Sequence, residues 1–144
     1  MRLFSSFIIF IFFLKFGVSL RFQAASIKGR LLCGNVAAIG VRVKLWPDDL
    51  GMDVDKNSDQ FWTDRDGNFS VFGPTLEGSA KAPVPAIFRI FHDCNDGNRA
   101  GLRVFKFRIP DSYVSKGKEA KKVFDFGLLN LEIQPFDEER STEN

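Results

Sequence analysis

Apolar and polar residues alternate with a period of two along most of the chain. The clearest runs lie at residues 26–33, 41–46 and 86–94, where nearly every second side chain is apolar. This period is typical of strands that bury one face. Four more strands are predicted at residues 60–63, 68–73, 102–109 and 123–133.

Turn chemistry separates these runs. Asp64-Arg65-Asp66-Gly67 joins two short strands, and Gly67 supplies the positive φ that a tight hairpin needs. Residues 74–85 contain three prolines, so they predict a connection or an edge rather than a central strand. No stretch longer than a few residues has helical periodicity. The sequence therefore predicts an all-β sandwich of seven strands.

The first 19 residues have the features of a secretory signal peptide. A positive start precedes an apolar run over residues 3–14, and Gly17-Val18-Ser19 supplies a small-residue cleavage site. A transmembrane anchor is the alternative. The apolar run is shorter than the roughly 20 residues that span a bilayer, and Lys15 interrupts it. We therefore expect a secreted, extracellular protein cut after Ser19.

The remaining chain predicts one domain over residues 20–136 and a disordered, charged tail over residues 137–144. Without the signal peptide, 18 basic and 18 acidic residues remain, because that segment contains Arg2 and Lys15 but no acid. A neutral chain lacks the basic excess that phosphate binding requires. The composition therefore argues against nucleic acid as a partner.

Residues able to do chemistry are few. His92 is the single histidine, and alternation places it on the same face as Phe88 and Ile90, which favours a partly buried structural role. Segment 48–59 is rich in aspartate, but neither it nor the Asp64–Gly67 turn has the spacing of a calcium loop, so a solvated loop is expected. We expect no catalytic site, no metal site and no cofactor.

Two surface features suggest other roles. Asn68-Phe69-Ser70 is a glycosylation acceptor in a secreted chain, although a bare asparagine beside a buried Phe69 is an equal alternative. Segment 111–122 is a lysine-rich loop that either keeps a sheet edge from pairing or forms an anionic-surface patch close to Arg99 and Arg103. The lysines of this patch are Lys116, Lys118, Lys121 and Lys122.

Several motifs resemble the nematode transthyretin-like family over about residues 26–133. The six motifs are I-K-G-R-L-L-C from Ile27, V-R-V-K-L-W from Val41, T-D-R-D-G-N-F from Thr63, I-F-H-D-C-N-D-G from Ile90, F-R-I-P-D-S-Y from Phe107 and F-D-F-G-L-L-N-L-E from Phe124. Their order and length make chance agreement improbable. The resemblance implies a secreted, seven-stranded, prealbumin-like sandwich of two antiparallel sheets.

The resemblance also implies a cysteine arrangement. Family members often carry four cysteines, of which this chain has two, Cys33 and Cys94. The later two are absent together, so the resemblance implies a Cys33–Cys94 bridge and a C-terminal tail that frays more than is usual in the family. Two free thiols are the alternative, and an oxidising compartment disfavours it.

The resemblance narrows the possible functions of the chain only to broad classes. One family member bridges phosphatidylserine on dying cells and a phagocyte receptor, and others resemble effectors released by parasites. Enzymes of related fold use several histidines and a C-terminal Tyr-Arg-Gly-Ser signature, both missing here. We expect a non-enzymatic binding protein that recognises an unknown extracellular protein or receptor. The alternatives are an adaptor on anionic membranes and a carrier of a small apolar ligand.

Overall fold

The structure is a computed structural model that describes residues 21–46, 60–76 and 84–142. The predicted signal peptide, the acidic segment 48–59 and residues 77–83 lie outside these ranges. Within the described ranges the chain forms β1 (Phe22–Cys33), β2 (Val36–Ala37), β3 (Arg42–Leu45), β4 (Gln60–Trp62), β5 (Asn68–Leu76), β6 (Ile87–His92), β7 (Leu102–Arg108), β8 (Ser115–Lys116), β9 (Phe124–Asn130) and β10 (Glu139–Ser141).

These strands form two five-stranded sheets, as the predicted sandwich requires. In the first sheet β1 is central and pairs with β2, β5, β8 and β9. In the second sheet the order is β10-β7-β6-β3-β4, with every pairing antiparallel. All pairings of the first sheet are antiparallel as well, apart from β1 with β9, which is parallel.

The seven predicted strands correspond to the seven main ones. β1 is longer than the alternation indicated, because it begins at Phe22 and pairs with β5 from there. Among the described residues β5 pairs only with β1, and Pro74 lies opposite Ala24 in this pairing. A proline donates no backbone hydrogen bond, so its position in such an edge strand agrees with the prediction for this part of the chain.

The core lies between the two sheets. Ile27, Leu31 and Val71 from the first sheet meet Val43 and Ile90 from the second, and all five are fully buried. Aromatic rings fill the centre: the Phe69 and Phe88 rings stack with centroids 5.0 Å apart, and Phe126 packs edge-on against Phe88 and Phe107. Charged neighbours of these residues such as Lys28, Arg30 and Lys44 lie on the other face of their strands, as the alternation predicted.

Two glycines are required where backbone and side chains approach closely. Gly67 has φ of 77°, and a Cβ there would lie 2.2 Å from the carbonyl oxygen of Leu31. The predicted positive φ at this turn is therefore present. Gly29 leaves room for the Phe69 ring, since a Cβ would lie 2.8 Å from the ring edge. Both positions tie the β4–β5 turn and its aromatic neighbour to β1.

Candidate binding surfaces

One end of the sandwich is closed by the Cys33–Cys94 disulfide. Cys33 ends β1 and Cys94 follows β6, and their Cα atoms lie 5.8 Å apart. The bridge therefore joins the first sheet to the second. It has the pairing that the family resemblance implied, and it uses both cysteines of the chain.

Arg103 organises the same end from inside. Its side chain is only 4% exposed, and its guanidinium donates to the carbonyl oxygens of Cys94 (2.8 Å), Leu131 (3.0 Å) and Ile133 (2.6 Å). The same group forms a forked ion pair with the Glu138 carboxylate at 2.6 and 2.7 Å. The hydrogen bonds to Arg103 hold the pKa of Glu138 below its usual value. One cation thus fastens the C-terminal segment to the disulfide.

The C-terminal residues are held by a second ion pair. Arg140 contacts the buried carboxylate of Asp96 and donates to the carbonyl oxygen of Ala100 at 2.9 Å. The hydrogen bond from Arg140 lowers the pKa of Asp96. Residues 137–142 are therefore not the disordered tail that their charge predicted. They include β10, which pairs with β7 and completes the second sheet.

An open polar cleft of about 350 Å³ lies beside these ion pairs. Two exposed apolar side chains flank the segment that borders it: Ile133 is 45% exposed and Phe136 is fully exposed. The polar lining does not suit a small apolar ligand. The cleft is lined by Asn95, Asp96, Arg99, Arg103, Gln134, Pro135 and Glu138.

His92 lies in the interior behind this cleft. Its ring is 3% exposed, packs edge-on against Phe105 with centroids 4.5 Å apart, and accepts a hydrogen bond at Nδ1 from the backbone N–H of Cys94. It is more deeply buried than the alternation indicated. Burial, reinforced by the nearby Arg103 cation, lowers the pKa of His92 to about 4. The imidazole is therefore neutral at pH 7 and has a structural role.

The buried imidazole predicts a pH dependence of stability. Between pH 6.5 and about 4 the unfolded chain binds a proton at His92 that the folded chain does not, so stability falls as the pH is lowered through this window. The full loss is about 3 kcal/mol. In His92→Asn, whose side-chain oxygen can accept the Cys94 N–H bond, the decrease should largely disappear. Urea unfolding at a series of pH values measures this, and parallel curves for the two proteins would contradict it.

The four lysines of segment 111–122 lie at the opposite end of β1 from the disulfide. Lys116 in β8 pairs with Gln23 of β1, and Gln23 lies about 30 Å along β1 from Cys33. Lys118 lies 4.6 Å from the Phe22 ring, and all four lysines, including Lys121 and Lys122, are exposed.

The sequence predicted that Arg99 and Arg103 lie close to these lysines, and this prediction is wrong. Arg99 borders the cleft at the disulfide end, and Arg103 is buried there. Both arginines therefore lie at the opposite end of β1 from the four lysines. These positions are set by the pairing of the strands and not by distance along the chain. Arg103 lies on the same face of β7 as Phe105 and Phe107, because side chains two residues apart in a strand point the same way. The alternation along β7 could therefore have predicted that Arg103 is buried.

Asn68 begins β5, where its side chain is exposed while Phe69 is buried. Its backbone N–H donates to the Asp64 carboxylate at 2.9 Å, which secures the turn. Glycosylation of this residue stays a prediction. A mass decrease on deglycosylation that Asn68→Gln abolishes would establish it, and identical masses before and after treatment would contradict it.

The described part of the chain contains no group of three or more histidine, cysteine, aspartate or glutamate residues able to hold a metal ion. Nor does it contain a helix long and apolar enough to cross a bilayer. At the disulfide end Arg103 pairs with Glu138 and Arg140 pairs with Asp96, whereas the buried Nε2 of His92 and Oδ2 of Asp96 have no hydrogen-bond partner among the described residues. What this end offers is a rigid, mixed polar and apolar surface.

Comparison with known proteins yields a consistent set of relatives. The profile of the family described as TTR-52, transthyretin-like family, matches residues 28–110. Transthyretin-like protein 46 of Caenorhabditis elegans is 44% identical over 135 residues, which are 93% of this chain and 74% of the relative. Transthyretin-like protein 5 of the same organism is 38% identical over 109 residues, 76% of each chain.

Among solved structures, a 9R-lipoxygenase from Cyanothece PCC8801 aligns with 79% of this chain and 17% of its own. The sequence identity is 20% and the TM-score 0.36. A likeness this weak supports no inference about function.

Proposed function

Because the chain belongs to the transthyretin-like family, we propose that it is a secreted, non-enzymatic extracellular binding protein that acts by protein–protein recognition. The state of His92 supports the non-enzymatic part, because this side chain is buried and neutral and already accepts a structural hydrogen bond. The proposal includes removal of residues 1–19. N-terminal sequencing of the secreted protein is expected to begin at Leu20, and an intact Met1 would contradict that part.

The observation that carries the proposal is the exposure of Phe136 on a fixed segment. The segment is held at both ends by Arg103, which donates to the carbonyl oxygen of Ile133 and pairs with Glu138. Between these anchors Phe136 is fully exposed, and Ile133 adds a second exposed apolar group. Large apolar side chains that a rigid backbone holds in water are typical anchors for protein partners. The adjacent polar cleft supplies a charged rim.

A photoreactive phenylalanine at position 136 tests this proposal. In the native secretion we expect one dominant crosslinked protein, competed by excess wild-type protein and not by Phe136→Ser. Phe136→Ser itself should leave the unfolding transition unchanged, because the side chain is fully exposed. The matched control places the same photoreactive group at Leu128, which is 62% exposed on β9. Equal crosslinking from both positions, or none from either, would overturn the proposed surface.

A second candidate function is adaptor binding to an anionic membrane. The favouring observation is that Lys116, Lys118, Lys121 and Lys122 are all exposed within seven residues. Each such cation contributes about 1 kcal/mol near an anionic membrane, so binding would be weak and salt-sensitive. Co-sedimentation with phosphatidylserine vesicles, lost when the four lysines are changed to glutamine, would support it. Equal binding to neutral vesicles would contradict it.

A further inference from the structure

The disulfide end of the sandwich carries exposed apolar side chains on two joined segments. Phe136 is fully exposed, Val36 of β2 is 65% exposed and Ile133 is 45% exposed. The Asn130 side chain bonds both backbone groups of Gly34, at 3.0 and 3.1 Å. These bonds join the turn between β1 and β2 to the segment that carries Ile133 and Phe136. The three apolar side chains therefore lie at one fixed end of the molecule.

Free negative charge exceeds free positive charge at this end. The side chains of Asp93, Glu132 and Asp137 are exposed, and within the described ranges their carboxylates form no ion pair or hydrogen bond. Arg99 is an exposed cation here, and its charge acts on the buried carboxylate of Asp96. Because residues 20–144 contain equal numbers of acidic and basic residues, the excess of acids belongs to this end and not to the whole chain.

Two of the free acids are immediate neighbours of exposed apolar residues. Asp137 follows Phe136, and Glu132 precedes Ile133. In protein interfaces a few apolar groups supply the anchors, while charges at the rim select partners of the opposite sign. An anionic bilayer would meet both carboxylates as soon as Phe136 entered it, and like charges repel. The acids therefore favour a partner that presents lysine or arginine side chains.

We propose that the disulfide end binds a basic surface of a protein partner, with Phe136 as the apolar anchor and the three free acids facing lysine or arginine side chains. The inference rests on the proposed function, because it names the chemistry of the partner for the same surface. Asp93 belongs to this surface because it directly precedes Cys94 of the bridge. Exposed charges act mainly on the association rate and its salt dependence, so added salt weakens binding.

Crosslinking from a photoreactive phenylalanine at position 136 of the full mature protein, in native secretions, tests the inference. The triple variant Asp93→Asn, Glu132→Gln, Asp137→Asn removes the free acids and keeps the size of each side chain. Its crosslinking yield at low salt should be lower than that of wild type by about fivefold or more. At about 1 M salt, where the Debye length is about 3 Å, the two yields should converge. The crosslinked segment of the partner should contain more lysine and arginine than aspartate and glutamate.

The matched control is the triple variant Asp111→Asn, Glu119→Gln, Asp125→Asn. It also removes three exposed acids, but from other parts of the surface, and should crosslink as wild type does. An equal loss of yield in the two triple variants would overturn the inference. A crosslinked segment richer in acidic than in basic residues would overturn it as well.

The triple variant at the disulfide end should unfold as wild type does, because all three replaced side chains are exposed. If it does not fold, Glu132→Gln and Asp137→Asn are used singly. Each should lower the yield about twofold at low salt, and unchanged yields in both would overturn the inference.

Failure of this inference is distinguishable from failure of the proposed function. Absence of a dominant crosslink from wild type would overturn both. A dominant crosslink that the triple variant leaves unchanged would overturn the basic partner alone. With vesicles of phosphatidylserine and phosphatidylcholine, position 136 should form no lipid adduct. A lipid adduct lost in Phe136→Ser would overturn the inference in favour of a bilayer.

Discussion

Replacing both cysteines, as Cys33→Ala with Cys94→Ala, is expected to lower the free energy of unfolding by about 4 kcal/mol. The bridge closes a loop between residues 61 apart in sequence, and removing it restores that loop's entropy to the unfolded chain. Domains of this size have about 5 to 15 kcal/mol in all, so a substantial part of the stability is lost. Urea unfolding of the two proteins measures the difference.

The reduced wild-type protein is the control for this pair. Its stability under reductant should match that of the double variant, and reductant should leave the double variant unchanged. A difference below about 1 kcal/mol between oxidised and reduced wild type would contradict the expectation. It would mean that the contacts around Arg103 hold the two sheets together at this end without the bridge.

Replacing Arg103 by methionine is expected to cost about 2 to 4 kcal/mol, because it removes one partner of a partly buried ion pair and the donor to buried carbonyl oxygens. Glu138 would lose its forked partner, and the carbonyl oxygens of Cys94 and Leu131 would lose their donor inside the protein. Methionine has a similar volume, so the cost is electrostatic rather than a cavity. Chemical unfolding at neutral pH measures it.

Arg108→Met is the matched control on the same strand. Arg108 also pairs with an acid, Asp111, at 3.2 Å, but both side chains are largely exposed. An exposed pair contributes about 0 to 1 kcal/mol, so this variant should unfold nearly as wild type does. Equal losses in the two variants would contradict the special role of Arg103. Faster amide exchange in β10 of Arg103→Met alone would show that the C-terminal segment had been released.

These two expectations concern the same end of the sandwich, where the chain departs from its family. The family's usual second pair of cysteines is absent, and the resemblance therefore implied a fraying C-terminal tail. The structure instead attaches residues 137–142 through Arg103–Glu138, Arg140–Asp96 and the pairing of β10 with β7. Ion pairs and strand pairing hold this segment, which was expected to fray because no second disulfide anchors it.

Acidic conditions should weaken this attachment. The pKa values of Glu138 and Asp96 are lowered in the folded protein by their arginine partners, so the stability they contribute is present at neutral pH and is lost as the pH falls below the usual range of carboxyl groups. The change has the same sign as that of His92 and occurs at lower pH. In the His92→Asn protein the pH dependence of stability should come from Glu138 and Asp96 without the histidine. The two contributions can therefore be measured separately.

The sequence by itself determined the strands and their buried faces. Alternation is a local property, because successive side chains of a strand point to opposite faces whatever the strand pairs with. It therefore placed Val43, Phe69 and Phe88 in the core correctly. The positive φ of Gly67 was equally local, since the tight turn alone requires it. The ordered motifs were sufficient to identify the family as well.

Only the tertiary structure decided how distant charges meet. The composition of residues 137–144 is that of a solvated tail, and nothing local shows that Glu138 and Arg140 find buried partners 35 and 44 residues away. Sequence proximity also suggested that Arg103 belonged with the lysines, whereas strand register sends them to opposite ends of β1. Lys44, Arg89 and Lys106 likewise become neighbours only because three strands pair in that register. Such features depend on which strands become neighbours, and that choice is made by packing of the whole core.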